Sequence, residues 1–285
     1  MTIDIEILQF LHYHPLANRT EIMAGLMETP SGSTVKRLLS AAVKEGNIET
    51  VGRGPSTKYR LTPQAHVTMP LDLATYFDKD VDERVVQESF NFDLIREVLP
   101  KVEIFTKEEL SVLFAAQKEF EKNTVGMTAL EYHKEMERLG VDLSWKSSQI
   151  EGNTYSLLET ERLLKDKQTA SGKTKEEAIM LLNHKDALDF VLDVPDYLKE
   201  LSVHRIEDIH SILTKELGVD RNIRHRRVGI TGTNYRPLDN EFQIREALED
   251  TCTLVNGKDN VFEKALLTLV LLSYIQAFID GNKRT

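Results

Sequence analysis

A chain of 285 residues with 41% hydrophobic and 29% charged side chains has the balance of a globular protein, with length enough for two domains. Its net charge of −10 argues against wholesale coating of nucleic acid, and its one cysteine, Cys252, excludes an intramolecular disulfide and any cysteine-based zinc site. The acidic start, Met1 to Glu6, lacks a signal-peptide n-region, and the apolar run Leu266 to Ile275 is too short to span a bilayer. A cytoplasmic protein without membrane contact is the expectation.

In chain order, Ile3, Ile5, Ile7, Leu8 and Leu11 predict a first helix, ended by His14-Pro15. Asn18-Arg19-Thr20-Glu21 opens a second. Thr29-Pro30-Ser31-Gly32-Ser33 reads as a turn, with Ser33 as N-cap of a third helix, Thr34 to Glu45. Two strands follow, Ile48 to Val51 and Lys58 to Leu61, joined by Gly52 to Ser56. Residues 1–65 in this order resemble a winged helix-turn-helix. Six basic residues against two acids lie between Pro30 and Thr62, so DNA contact through Lys36, Arg37, Arg53 and Lys58 is one reading. A protein-protein module is the other.

Residues 66–104 carry Pro70, Pro100 and an acidic stretch and read as a linker or docking segment. From residue 105 to 285 helical patterns dominate, so the fold class is mainly α. A capping box at Thr106 to Glu109 opens helices over roughly 110–123 and 129–139. Ser147-Ser148-Gln149-Ile150-Glu151-Gly152-Asn153 reads alone as a helix end and a turn. Leu157 to Asp193 is helical with a break at Thr169 to Gly172. His184, His204 and His210 read as packed or hydrogen-bonded, and no His pair has metal-ligand spacing. Between Arg221 and Asn240, glycines, threonines and Asn234-Tyr235 read as an exposed hairpin after a basic cluster. Helices over 244–256 and 261–275 lead to Gln276-Ala277-Phe278-Ile279-Asp280-Gly281-Asn282-Lys283-Arg284-Thr285.

That ending admits two readings. In one, the turn is an anion site: backbone N–H groups converge, Asp280 holds a divalent cation and Arg284 clamps a phosphate. In the other, Gly281 is an ordinary helix C′ residue and Lys283 and Arg284 answer the helix dipole. The stretch resembles the Fic (Fic/Doc) signature, His-x-Phe-x-Asp/Glu-Gly-Asn-Gly/Lys-Arg-x-x-Arg, with Phe278, Asp280, Gly281, Asn282, Lys283 and Arg284 in register. Ser147-x-x-x-Glu151-Gly152 resembles the inhibitory motif of that family, and Val228-Gly229-Ile230-Thr231-Gly232-Thr233-Asn234-Tyr235 occupies the place of its hairpin flap.

The resemblance implies a Fic-type helical core with a small β-hairpin flap. It implies transfer of AMP from ATP to a Ser, Thr or Tyr hydroxyl of a target protein, with Mg²⁺ on Asp280 and phosphates on Gly281, Asn282, Lys283 and Arg284. Glu151 is implied as a brake, and Lys283 or Arg284 as its cationic partner. Gln276 stands in the place of the general base, and the signature's second Arg would fall beyond Thr285, as in a truncated or degenerate member. An amide takes no proton at neutral pH, so impaired transfer is expected. Two alternatives stay open: a catalytically inactive Fic fold that senses nucleotide or regulates through DNA, and a transcription factor whose C-terminal part is a dimerisation platform, which would make a homodimer.

Overall fold

The computed structural model describes residues 2–27, 30–84 and 86–285. The protein is mainly α, with one small three-stranded antiparallel sheet. It divides into two compact units, Met1–Val85 with Arg96–Lys107, and Val86–Ile95 with Glu108–Thr285. Residues 66–104, read from the sequence as one linker, are therefore shared between the two.

In the first unit, α1 (Ile3–Tyr13) buries Ile7 and Leu11, one turn apart on a single face. The short strand β1 (Ala17–Asn18) leads into α2 (Arg19–Gly25), where Asn18 and Glu21 form a reciprocal capping box. Helix α3 spans Gly32–Lys44, and its cap is Ser31 rather than Ser33: the Thr34 N–H donates to Ser31 Oγ at 3.2 Å. Ser33 is drawn into the cap itself, with its hydroxyl 2.8 Å from Ser31 Oγ. Thr29, the first residue of the expected turn, lies outside the described residues.

Strands β2 (Ile48–Val51) and β3 (Lys58–Leu61) fall at their expected positions on either side of Gly52 to Ser56. Ile48 pairs with Leu61, both buried, which fixes the register. β1 pairs with the other edge of β3, giving the order β1-β3-β2. Two residues are too few to show a period, so β1 had no sequence signal. The unit continues through α4 (Pro63–Thr68) and α5 (Leu73–Asp78). The Gln64 side chain exchanges two hydrogen bonds with the Glu103 backbone, which ties 96–107 into this unit.

After Val86–Ile95, the second unit takes in α6 (Lys107–Val125), all but its first residue, and α7 (Ala129–Ile150). Helix α7 runs eleven residues past its expected end at 139, straight through Gly140. A Cβ there would come 3.3 Å from the Lys185 side chain, so the glycine admits a neighbouring helix rather than ending its own. Helices α8 (Leu157–Asp166) and α9 (Lys175–Asp193) both open on capping boxes, and the expected break separates them. Then come α10 (Val203–Leu213), α11 (Glu241–Gly257) and α12 (Val261–Ile275). α11 buries Ile244, Ala247, Leu248, Thr251 and Val255 at helical spacing, and α12 buries Leu267, Leu271 and Ile275. Among the described residues no helix is long and apolar enough to cross a membrane.

Candidate functional site

The site grows from the end of α12. Gln276 takes the left-handed conformation, φ 53°, and closes the helix by donating its N–H to Leu272 O. The helix therefore stops five residues before Gly281, which corrects the reading of Gly281 as its C′ residue. Gly281 has φ +78°, and a Cβ there would stand 3.3 Å from Thr214 Cγ2, so both backbone and space call for glycine. Its carbonyl receives the N–H groups of Arg284 and Thr285, each at 3.0 Å, which starts a new turn. Among the described residues the Asn282 and Lys283 N–H groups at the head of that turn have no protein acceptor.

The loop between is held by buried side chains. Asn282 closes it on itself: its Oδ1 accepts from the Phe278 N–H at 2.8 Å and its amide donates to Phe278 O at 2.7 Å. Phe278 is 2% exposed and stacks on the His210 ring, centroids 3.7 Å apart. His210 Nε2–H donates to Asp280 O at 3.0 Å, and burial keeps this imidazole below its ordinary pKa. Arg224 completes the frame. It is 1% exposed, and its guanidinium donates to Gln276 O at 2.6 Å, Arg226 O at 2.8 Å and Leu238 O at 2.5 Å. Its N–H also donates to Ala277 O.

Charge around the loop is arranged unequally. The Asp280 side chain is 54% exposed, with Oδ1 accepting from the Gly281 N–H and Oδ2 3.6 Å from the Arg284 guanidinium. Lys283 is exposed. Arg284 turns inward, its side chain only 1% exposed, and one of its nitrogens donates weakly to Leu213 O at 3.4 Å. Its Nε and other terminal nitrogen have no hydrogen-bond partner among the described residues. Burial, with the Arg284 charge second, depresses the His184 pKa to about 4, so His184 is neutral beside it. The Gln276 amide donates to Ser273 O at 2.6 Å.

Several expected members stand apart from this loop. Ser147 is half-buried in α7, Glu151 caps that helix, and Gly152 turns the chain at φ +86°. Among the described residues, Glu151 makes no ion pair, and the partner of Arg284 is Asp280. The expected pairing of Glu151 with Lys283 or Arg284 is therefore absent. The turn is clamped from the other side, where Trp145 Nε1–H donates to Tyr155 O at 3.0 Å and Asn153 donates to Glu177 O. Helix α7 does reach toward the loop one turn earlier, with Ser144 Oγ 3.2 Å from His184 Nδ1.

The flap differs from expectation as well. Residues 228–235 make the turn at Thr231-Gly232, but no ladder joins their two arms. Arms of three residues, one of them carrying Gly229, have too little side-chain pairing to hold a free hairpin. Instead Arg236 forms a single parallel bridge with Ser89. The basic cluster before it divides: Arg224 is buried on carbonyls, His225 pairs with Glu241 at 2.8 Å, Arg227 pairs with Asp239 at 2.7 Å, and Arg226 is exposed. No sequence signal marked Arg224, whose acceptors lie up to 52 residues away.

In the first unit Lys36 and Arg37 are exposed on α3 and Arg53 is exposed at the β2–β3 turn, while Lys58 is half-buried. Among the described residues none of the four makes an ion pair, whereas Arg60 pairs with Glu49 at 2.6 Å. No three His, Cys, Asp or Glu side chains gather into a metal cage among the described residues.

Two solved structures of Fic-1 from C. elegans, amino acids 134–508 and a variant of the same region, are similar at 20% identity and a TM-score of 0.48. Each comparison covers 62% of this chain and 56% of that one, so the chain spans little more than half the length of those structures. No curated protein matches. The Fic/DOC family model matches residues 200–285, from α10 through the loop after α12. Over that segment the chain is similar to the Fic/DOC family.

Proposed function

We propose that the second unit is a nucleotide site that transfers AMP from ATP to a Ser, Thr or Tyr hydroxyl of a target protein, at a rate held low by Gln276. The observation that carries this reading is the turn Gly281–Thr285. It presents two unengaged N–H groups and the Lys283 ammonium beside a half-free carboxylate. N–H groups at the head of a turn and a neighbouring ammonium suit phosphate oxygens. Asp280 fits Mg²⁺ as a single carboxylate ligand, the mode in which the ion keeps waters and shares nucleotide phosphates. When bound, the ion neutralises charge on the phosphates. Arg284, engaged with Asp280 and buried, supports the carboxylate and leaves the direct phosphate contact to Lys283.

In the reaction a target hydroxyl oxygen bonds to the α-phosphorus, the bond from that phosphorus to the β-phosphate oxygen breaks, and pyrophosphate leaves. The hydroxyl proton must go elsewhere. Gln276 cannot take it, and His184 and His210 are buried in structural contacts. Water is left as acceptor, and the missing base lowers the rate by ~10²–10⁴. Glu151, as the brake, would repel the triphosphate when brought to the loop.

A second role is favoured for the first unit by Lys36, Arg37 and Arg53, exposed and free of ion pairs among the described residues. We read that unit as a winged helix that places α3 on DNA and the β2–β3 turn on the phosphate backbone.

The test is label transfer from α-labelled ATP with Mg²⁺, comparing the chain, Glu151→Gly, and Glu151→Gly with Gln276→His. The expected result is faint labelling of Glu151→Gly and a rise of ~10²-fold or more on adding Gln276→His. No label from any of the three, with no ATP binding by calorimetry, sinks the reading.

A further inference from the structure

Helices α9, α10 and α12 enclose a cavity of about 200 Å³ beside the closing turn of the loop. Its apolar wall follows from helical spacing. Leu188 and Val191 lie one turn apart on α9, Ile209 and Leu213 one turn apart on α10, and Leu272 comes from α12. All but Leu213 are half-buried, so the cavity is open to entry. Thr268 and Thr285 also line it, but their hydroxyls donate to Lys264 O and Gly281 O. The remaining polar wall is His184, one turn before Leu188, and Arg284. The Arg284 guanidinium has five N–H donors and one weak bond, 3.4 Å to Leu213 O. Its Nε and second terminal nitrogen have no hydrogen-bond partner among the described residues. Its counter-charge, Asp280 Oδ2 at 3.6 Å, belongs to a side chain 54% exposed, where water weakens the attraction. A guanidinium 1% exposed and so little engaged is unfavourable to bury, and the cavity beside it gives the side chain room to turn. His184 is neutral, because burial and the Arg284 charge hold its pKa near 4. Arg284 is therefore the one charge in the wall among the described residues.

We propose that this cavity binds a small amphipathic monocarboxylate, its carboxylate paired with the Arg284 guanidinium and its hydrocarbon body lying against α9, α10 and α12. One negative charge answers one cation. The rest of the wall offers nothing to further anionic oxygens, which sets a phosphate aside. A dry apolar cavity of about 150 Å³ takes the six carbons of benzene, so this one suits a body of about eight. Burial of that body supplies the affinity, and the charged pair fixes its direction. On binding, the guanidinium turns into the cavity and gains a carboxylate, the acceptor its fork fits best. The inference does not rest on the nucleotide reading. Lys283, the ammonium assigned there to phosphate, is exposed and lies outside this wall.

The test is isothermal titration calorimetry of the full chain at neutral pH, with octanoate, octanol and octylammonium as probes. Octanoate should bind about tenfold or more tighter than octanol, and octylammonium should not bind. Arg284→Met should bring octanoate down to the affinity of octanol. Val191→Trp fills the wall two helical turns from His184 and should abolish binding of both. Octanol binding as tightly as octanoate, octanoate unchanged in Arg284→Met, or full binding to Val191→Trp overturns the inference. Because Arg284 is buried, circular-dichroism melts accompany its variant. If Arg284→Met fails to fold, the difference between octanoate and octanol on the parent, together with Val191→Trp at a half-buried position, decides. Octanoate affinity that weakens as the protein concentration rises would mean that a second copy fills the cavity, and overturns the inference as well. None of these readouts is AMP transfer, so failure here leaves the proposed activity standing, and loss of that activity leaves this site standing.

Discussion

Two irregular stretches of the second unit differ in how they are held. The loop 276–285 has no regular structure before its closing turn, yet Arg224, His210 and Asn282 occupy its carbonyls and N–H groups. The flap, 228–235, read from the sequence as an exposed hairpin, has a turn and no ladder. The difference teaches that buried side-chain donors fix irregular backbone more firmly than turn chemistry fixes a free hairpin. Each donor on the loop answers a carbonyl that would otherwise be buried without a partner.

Removing the chief donor should break the contrast outright. Arg224→Met leaves the carbonyls of Gln276, Arg226 and Leu238 without their donor, and chemical denaturation should show a loss of about 3–5 kcal/mol. Arg224→Lys, which keeps the charge but not the fork, should recover less than half of that.

Acid should weaken the loop's surroundings next. The folded pKa of His184 lies near 4, below its value in the unfolded chain, so the unfolded state binds the proton more readily. Its contribution is complete above pH 6.5 and is lost as pH falls toward 4, on the order of 3 kcal/mol. Thermal melts over that window should show the decline, and His184→Gln should flatten it.

Smaller changes compare the two glycine turns directly. Gly281→Ala should cost about 1–2 kcal/mol, because the left-handed backbone and the 3.3 Å contact with Thr214 act together. Gly232→Ala, at φ +83° with nothing within 4 Å, should cost under about 1 kcal/mol and leave ATP affinity unchanged. If the two substitutions cost the same, the flap is held more tightly than its bonds indicate.

Much of this was legible in the sequence because it is local. Capping residues such as Asn18 lie within a turn of the helices they open, and the turn residues Gly52 to Ser56 between the runs 48–51 and 58–61 placed β2 and β3. The register of Phe278 to Arg284 was readable for the same reason. What was not legible depends on distance along the chain. Arg224 reaches across 52 residues to Gln276, and nothing in Arg224-His225-Arg226-Arg227 distinguishes the buried member from the solvated ones. Gly140 carries the signal of a helix end but serves the packing of α7 on α9. The flap was misjudged because turn residues were counted and the pairing energy of its short arms was not.

The clamp on the turn after α7 has an optical consequence. Trp145 is the only tryptophan in the chain, and its indole N–H is bonded to Tyr155 O across residues 151–154, with the Lys146 ammonium 4.0 Å over its ring. All intrinsic indole emission therefore originates at the hydrogen bond that closes this turn. A rearrangement of residues 151–154 that stretches or breaks the indole bond would change the emission without any added dye. The chain carries its own fluorescent gauge for that turn.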